Sequence, residues 1–278
     1  MFPIIDTHTH FYDPTRAQGV PWPRPDDKVL YRTVLPADCK QEALPVGVTG
    51  TVVVEASPWL ADNQWILDLA VEDPFILGLV GHIAPGRPEF GDELQRFAVN
   101  PLLRGIRCGG RTFAQVDAAL LRDLEQLAER DLQLDVLLGL DQMPAFLAVA
   151  AQLPQLRIVI NHISLMPVTG AALETQWIEH YQQAAALPNI FMKVSGLMEN
   201  SVLRPAPVDP DFYRPTLDAL WSAFGAQRLI YGSNWPVCEI AGTYTTCIAI
   251  VRQFFGEKGD AAAASFFGQN AQRAYGLV

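Results

Sequence analysis

Cysteines, basic residues and long apolar runs are all scarce in this sequence, and each shortage excludes a class of protein. Lysine and arginine together number 20 against 30 acidic residues, a net charge of −10 that argues against a face built to neutralise nucleic acid or an anionic membrane. The four cysteines include no Cys-x-x-Cys pair, so neither a zinc ribbon nor a disulfide framework is predicted. They are Cys39, Cys108, Cys238 and Cys247, and we expect buried free thiols in a reducing cytoplasm.

Signals for export and for membrane insertion are missing as well. The first apolar stretch is interrupted at Asp6, and no positively charged segment precedes it. The most apolar long segment, 143–163, contains Arg157 and two prolines, so no run reaches the roughly 18 apolar residues of a membrane span. We therefore expect a cytoplasmic protein whose partners include neither membranes nor nucleic acid.

Apolar sequence is abundant, but it is divided into short runs. Half of the 278 residues are apolar and 18% are charged, which is enough apolar material for a large core. The runs are almost continuously hydrophobic rather than alternating, which favours parallel strands covered on both faces. Eight of them, rich in β-branched residues and bounded by turn residues, predict strands at 4–10, 51–56, 76–83, 103–108, 132–138, 157–164, 190–196 and 228–236.

Segments with helical periodicity alternate with these strands. They lie at 61–72, 90–99, 116–130, 143–152, 170–186, 211–224, 243–255 and 261–275. This alternation predicts an α/β protein, a single (β/α)8 TIM barrel that occupies residues 1–278 as one domain. An open doubly wound sheet is disfavoured because no glycine-rich phosphate turn follows the first strand. Two proline-rich segments, 11–45 and 199–210, follow strand carboxyl ends, and the pattern leaves open whether they line an active site or only cap the barrel.

Four of the five histidines stand at predicted strand ends. His8 and His10 end the first strand, where the two-residue period of a strand places both side chains on one face. His82 follows the third strand and His162 the sixth, whereas His180 fits a helix surface. Because the carboxyl ends of barrel strands form the active site, we expect these four imidazoles to converge on one rim. Paired imidazoles suit a divalent metal or a reacting carbonyl oxygen.

Other polar and aromatic side chains predicted at this rim suit substrate binding. Arg107 offers a planar fork to a substrate carboxylate or hydroxyls. For Glu55 we favour an ion pair with Arg107 over a catalytic role. Trp59 and Trp235 suit stacking on the apolar face of a sugar-like ring. Together with His82, these residues form the predicted substrate-binding set.

Six motifs stand in a fixed order along nearly the whole chain: IDTHTH at 5–10, GIR at 105–107, NHI at 161–163, KVSGL at 193–197, YGSNWPV at 231–237 and NAQRAYGL at 270–277. In this order they resemble the amidohydrolase superfamily, and within it the amidohydrolase-related branch of sugar-lactone and 2-pyrone-4,6-dicarboxylate lactone hydrolases. The resemblance implies a (β/α)8 barrel that hydrolyses a small lactone, with histidines around the substrate carbonyl and often no obligatory metal. It also implies an alternative, because related decarboxylases hold a zinc ion with the equivalent groups.

One position departs from this branch, which commonly has an aspartate at the end of the eighth strand to activate water. The matching residue here is Asn234, whose amide has no titratable proton near neutral pH and cannot act as a general base. If water must be activated, the candidates are His162 and three carboxylates near strand ends, Glu55, Glu199 and Glu239.

Taken together, these features predict a hydrolase in which water attacks a lactone carbonyl polarised by His8 and His10. His162 and Asn234 complete the predicted catalytic set, and no cofactor is required as the first choice. In the alternative, one Zn²⁺ binds His8, His10 and His162 in a zinc-dependent decarboxylase or hydrolase. A third interpretation, motivated by Asn234, is a non-catalytic ligand-binding protein on a degenerate barrel. The expected partner is a small lactone or carboxylate.

Overall fold

Eight parallel strands form the centre of the molecule, as the sequence predicts. The structure, a computed structural model, describes residues 2–277. The strands pair in chain order from β1 to β8, each parallel to the next. They are β1 Ile4–Thr9, β2 Val48–Val54, β3 Ile76–Gly81, β4 Leu103–Gly109, β5 Gln133–Leu137, β6 Ile158–Ile160, β7 Ile190–Val194 and β8 Leu229–Tyr231. The predicted (β/α)8 barrel is confirmed.

The barrel closes where β8 meets β1, and site residues make the closing contacts. Thr9 forms a parallel bridge with Trp235. The backbone N–H of His10 donates to the Trp235 carbonyl, and that of Asn234 donates to the His8 carbonyl, both at 2.9 Å. The strand ends that hold the predicted catalytic residues are therefore held together by backbone hydrogen bonds.

A buried carboxylate reinforces this closure. Asp6 Oδ1 accepts the backbone N–H of Ser233 at 2.8 Å and that of His8 at 3.1 Å, while Oδ2 accepts the hydroxyl of Tyr244 at 2.8 Å. Burial raises the pKa of Asp6, and the hydrogen bonds from Ser233, His8 and Tyr244 oppose that rise. Asp6 therefore joins β1 to the segment after β8.

Helices surround the strands, with bounds close to the predicted ones. They are α1 Pro36–Ala43, α2 Leu60–Glu72, α3 Phe90–Ala98, α4 Ala118–Glu129, α5 Met143–Ala150, α6 Thr175–Ala186, α7 Pro210–Phe224, α8 Tyr244–Glu257, α9 Asp260–Ala264 and α10 Asn270–Tyr275. The final predicted helix is divided by a π-helical turn, Ser265–Gln269. Helix α1 lies inside the proline-rich segment, where no helix was expected. Pro36 at its start and the Asp38 carboxylate, which accepts the Leu35 N–H at 2.9 Å, explain why it begins there.

Strand side chains alternate between two apolar layers. Val53 of β2 packs in the outer layer between strands and helices, whereas Val52 and Val54 pack in the inner layer with Ala271 and Tyr275 of α10. Helix α10 is bonded to the beginnings of the strands: for example, the guanidinium of an arginine just before β6 donates to the Ala274 carbonyl. The last helix thus covers the end of the barrel where strands begin, and the opposite end is left for the site.

Two further expectations concern thiols and membranes. The four cysteines are unpaired; three are buried as predicted, and Cys247 is half-buried. Within residues 2–277, no helix is long and apolar enough to cross a membrane.

The contact between β4 and β5 gives a stability prediction. A Cβ added at Gly105 would lie 2.1 Å from the Gln133 carbonyl oxygen, whereas a Cβ at Gly256 of α8 would meet nothing within 4 Å. We expect Gly105→Ala to lower the free energy of unfolding by about 1–3 kcal/mol or more. Gly256→Ala, the control, should raise it by about 0.5–1 kcal/mol, because alanine favours helix. Urea unfolding measures both, and a Gly105→Ala variant as stable as the wild type would contradict the packing described.

Candidate active site

Three histidines from two strand ends form a cluster at the carboxyl end of the barrel. The ring centroid of His8 lies 4.9 Å from that of His10 and 4.3 Å from that of His162. All three residues are buried. The structure therefore brings together the three histidines that the sequence places at the ends of the first and sixth strands.

An unusual turn directs His162 into this cluster. Strand β6 ends at Ile160, earlier than predicted, and the four residues from His162 to Leu165 all have positive φ, between 49° and 61°. Such left-handed backbone costs roughly 1–2 kcal/mol for each residue other than glycine. The Tyr181 hydroxyl donates to the Ile163 carbonyl at 2.7 Å, and the Ser164 hydroxyl donates to a carbonyl after β5 at 3.0 Å. These buried bonds hold the turn that positions His162.

A buried ion pair lies beneath the histidines. Lys193 of β7 and Asp135 of β5 are fully buried, with Nζ 2.8 Å from Oδ2. The Lys193 ammonium also donates to the Thr7 carbonyl at 2.9 Å and contacts His8 Nδ1 at 3.1 Å, while the Tyr275 hydroxyl donates to Asp135 at 3.1 Å. Burial lowers the pKa of Lys193, and Asp135 opposes that effect. Each hydrogen of the ammonium therefore has an acceptor.

These contacts fix where two of the imidazoles hold their protons. Because the Lys193 ammonium donates to His8 Nδ1, that nitrogen is unprotonated, and neutral His8 has its hydrogen on Nε2. His8 Nε2 is buried and has no hydrogen-bond partner among residues 2–277. His10 shows the opposite arrangement, because its Nδ1 lies 2.9 Å from the Val54 carbonyl, which can only accept. His8 therefore presents an N–H donor and His10 presents a lone pair.

The histidines are uncharged near neutral pH. Burial lowers the pKa of His10 to about 3, and the nearby charge of Arg107 adds to this effect. Burial also lowers the pKa values of His8 and His162 well below the usual range, with further contributions from Lys193 and Arg107. Each ring can therefore act as a neutral donor or acceptor.

Asn234 follows β8 and pairs with a carboxyl group from the loop after β7. Its backbone has φ 62°, and its side-chain Nδ2 donates to Glu199 Oε1 at 2.7 Å. Burial raises the pKa of Glu199 to about 7, although the bonds from Asn234 and from its own backbone N–H oppose the rise. Asn234 also lies beside His10, and the Asn234 amide opposes the fall in the pKa of that imidazole. A carboxyl group that titrates near neutral pH thus faces the histidine cluster.

A cavity of about 350 Å³ opens above this cluster, a size that suits a small ring compound. Trp22, from the proline-rich segment, lies over it with its ring centroid 5.8 Å from that of His10. The polar lining residues that matter for chemistry are His10, Arg107, His162, Glu199 and Asn234.

Comparison with known proteins identifies the family. The family model described as amidohydrolase matches residues 5–277. The chain belongs to the amidohydrolase family. An L-fucono-1,5-lactonase from Burkholderia ambifaria is 32% identical, over 98% of this chain and 94% of that protein, and one from Burkholderia multivorans is 29% identical, over 98% and 96%. A crystal structure of an amidohydrolase from Burkholderia multivorans with bound zinc, 28% identical, superposes with a TM-score of 0.88 over 99% of this chain and all of that one.

The histidines of this amidohydrolase do not fit a metal ion in their present arrangement. A metal ligand must offer a lone pair, but His8 has a hydrogen on Nε2. Moving that hydrogen to Nδ1 would direct it at the Lys193 ammonium. Within the part of the chain that the structure describes, no group of three or more His, Cys, Asp or Glu side chains is arranged to hold a metal.

The predicted substrate-binding residues of this amidohydrolase are divided between different places. The Glu55 carboxylate accepts from Arg107 Nε at 2.7 Å, the ion pair favoured from the sequence. His82 lines a neighbouring cavity of about 660 Å³ that Arg107 also lines. Trp59 is 37% exposed and Trp235 only 1%, and neither lines the cavity above the histidines.

Two different environments explain the positions of these tryptophans. Trp59 is the exposed residue that precedes α2, in the segment after β2. Trp235 takes part in barrel closure, packs edge-on against Phe11, and donates its indole N–H to Glu239 at 2.8 Å. The structure therefore does not place either ring where it can stack on a ligand in this cavity.

Sequence reasoning missed the ion pair that sets the His8 proton. A signal was present, because Lys193 and Asp135 are charged residues inside strands whose other residues, apart from Gln133, are apolar. Charged side chains inside a buried strand require a partner of opposite sign. The interior of a barrel brings β5 and β7 close enough to form that pair.

The raised pKa of the half-buried Glu199 carboxyl gives a second prediction. Its pKa is about 7 in the folded protein against an ordinary 4.5, so the folded state loses stability relative to the unfolded chain as pH rises from 4.5 through 7. A pKa difference of about 2.5 units corresponds to a loss of stability of about 3 kcal/mol. We expect Glu199→Gln to remove this penalty, so that the variant gains stability over the wild type at pH 8 but not at pH 4.5.

Thermal unfolding at the two pH values measures the difference. The matched control is Glu129→Gln on the exposed end of α4, where the same change removes a solvated carboxylate. If Glu199→Gln differs from the wild type equally at both pH values, the pKa of the Glu199 carboxyl is not raised as described.

Proposed function

We propose that this amidohydrolase opens a small sugar-type lactone by adding water to the ring carbonyl, in sugar-acid metabolism. The observation that carries the proposal is the pair of opposite hydrogen-bonding groups in neighbouring neutral imidazoles, the Nε2–H of His8 and the Nε2 lone pair of His10. The two curated relatives that are 32% and 29% identical over 98% of the chain are L-fucono-1,5-lactonases, which supports a sugar lactone as substrate.

The substrate carbonyl is the proposed partner of His8. His8 is fully buried and is not among the residues that line the cavity, so the proposal requires the carbonyl to reach past His10 and His162. A buried N–H without an acceptor is costly, and a developing oxyanion there would satisfy the His8 Nε2–H. His10 and His162 line the cavity, and the free Nε2 lone pair of His10 can accept a hydrogen bond from the attacking water. Arg107 is fixed through Nε by Glu55, and its remaining N–H groups are the proposed donors to ring hydroxyls.

The reaction is proposed to require no metal ion. The Lys193 contact with His8 Nδ1 supports this, because it leaves on His8 Nε2 an N–H that can polarise a carbonyl directly. Four free thiols support a reducing compartment, and we propose the cytoplasm.

A panel of aldonolactones in a pH-indicator assay tests the activity, because each turnover releases an acid. We expect hydrolysis of at least one sugar lactone, and His8→Ala should lower kcat by about 10²- to 10³-fold, as expected on removing an oxyanion donor. The control is His180→Ala on α6, whose ring bonds its own helix and is not part of the cavity lining. Unchanged kcat in His8→Ala would remove His8 from the mechanism.

A chelation experiment tests whether the reaction needs a metal ion. We expect kcat/KM on the best lactone to stay unchanged after dialysis against a chelator and after addition of zinc. Metal analysis of the same samples shows whether dialysis removed any ion. Loss of activity with the chelator and recovery with zinc would favour the zinc-dependent alternative instead.

A further inference from the structure

Lactone hydrolysis needs a group that removes a proton from water, and the cavity offers few. Asn234 lines the cavity at the end of β8, and an amide cannot take that proton. Arg107 is a permanent cation. The lining groups that could accept a proton are therefore His10, His162 and Glu199.

We propose that Glu199 is the general base of this amidohydrolase, taking a proton from a water molecule held beside the Asn234 amide. This inference rests on the proposed lactone hydrolysis and assigns its missing proton acceptor. The base is supplied by the loop after β7 instead of the end of β8.

The position of Glu199 suits this role. Oε1 accepts the Asn234 amide at 2.7 Å, and the carboxyl group lines the cavity, so Oε2 is left to bond a water there. The loop is held in place, because Arg204 donates to the Glu199 carbonyl at 2.8 Å and also to the Ser201 carbonyl. On the opposite side, Asn200 donates its side-chain N–H to the His162 carbonyl at 3.3 Å. The base is therefore built on a fixed loop joined to the histidine cluster.

The two imidazoles in the cavity are poorer bases. Burial and the charge of Arg107 lower the pKa of His10 to about 3 and place that of His162 well below its ordinary value. A base of such low proton affinity gives little driving force for deprotonating water, whereas the best catalytic base has a pKa near the working pH. Burial raises the pKa of Glu199 to about 7, which meets that condition.

The other rim carboxylates are already occupied. Glu55 is paired with Arg107 at 2.7 Å. Glu239 is paired with Arg32 at 2.8 Å and accepts the Trp235 indole, and it is not among the residues that line the cavity. Neither is placed to bond a water above the histidines.

The proposed proton transfers balance within the site. As the water oxygen attacks the carbonyl carbon, one water proton passes to the Glu199 carboxylate and the carbonyl π-electrons become an oxyanion bonded by His8. When the oxyanion collapses, the bond from the carbonyl carbon to the ring oxygen breaks. Protonated Glu199 returns its proton to that ring oxygen, which becomes the hydroxyl of the product acid. Glu199 is then a carboxylate again.

Asparagine at 234 is consistent with a glutamate base. Two carboxyl groups 2.7 Å apart share one proton, because both cannot be ionised at once. An amide in that place instead donates to the carboxylate and leaves it free to accept a proton from water. The titratable and charged groups around Glu199 on the packed elements are Arg204, His10, His162, Tyr213 and Cys238.

The test is the pH dependence of kcat/KM on the best lactone from pH 5 to 9. We expect an acid limb near pH 7 in the wild type, and a fall of about 10²- to 10⁴-fold with loss of that limb in Glu199→Gln. Glu239→Gln is the matched control, because it removes a rim carboxylate outside the cavity, and the acid limb should remain. A Glu199→Gln variant that keeps wild-type kcat/KM and the acid limb overturns the assignment.

Asn234→Asp gives an independent arm that keeps Glu199. The new carboxylate should raise the pKa of Glu199, so the acid limb should move to higher pH with no large gain in maximal rate. A gain of about 10²- to 10⁴-fold without that movement would show that the wild type lacks a competent base, and would overturn the proposal.

A spectroscopic measurement separates this proposal from the proposed function. Infrared difference titration of the wild type against Glu199→Gln should show a protonated-carboxyl band that disappears near pH 7. A wild type that shows this band but hydrolyses no lactone in the panel contradicts both the proposed function and the base assignment. An active wild type without the band contradicts the base assignment alone.

Discussion

The buried ammonium of Lys193 is the constraint on which the site depends. An ammonium inside a barrel must keep every hydrogen bonded, and leaving a charge of a buried pair without its partner costs about 3–5 kcal/mol. Its acceptors come from β1 and β5, namely the Thr7 carbonyl, His8 Nδ1 and Asp135. The fold therefore cannot form with His8 in the other tautomer without loss of one of these bonds. The stability of the fold therefore determines that His8 has its proton on Nε2.

Much of the fold and part of the site follow from the sequence, because both depend on local patterns. Continuous β-branched runs between helical segments can be buried only as parallel strands covered by helices. Parallel strands end at the same rim, so His8, His10 and His162 had to meet once the barrel was recognised. The Glu55–Arg107 pair follows in the same way, since β2 and β4 end close together.

The remaining features depend on contacts between distant parts of the chain. Lys193 and Asp135 pair across the barrel interior, 58 positions apart in the chain, and no local pattern specifies such a partner. The turn after β6 begins at His162, and its apolar residues resemble a continuation of the strand. The backbone is left-handed there because buried hydrogen bonds from the hydroxyls of Tyr181 and Ser164 hold it, and no local pattern specifies these contacts. Trp235 looks like a ring at an open rim, but barrel closure buries it. The sequence places an aromatic residue after β8, but it does not specify which residues surround that ring.

The left-handed turn from His162 to Leu165 has a consequence for redesign of this chain. Leu165 has φ 56° and is 43% exposed, so glycine would relieve backbone cost at that position with little loss of burial. A design procedure that rewards thermal stability alone would therefore select glycine there, and it would also soften the segment that aims an imidazole at the cavity. Heat resistance and accurate placement of His162 are opposing objectives in this turn. A library built around this barrel should hold residues 162–165 constant and seek its stabilising changes elsewhere.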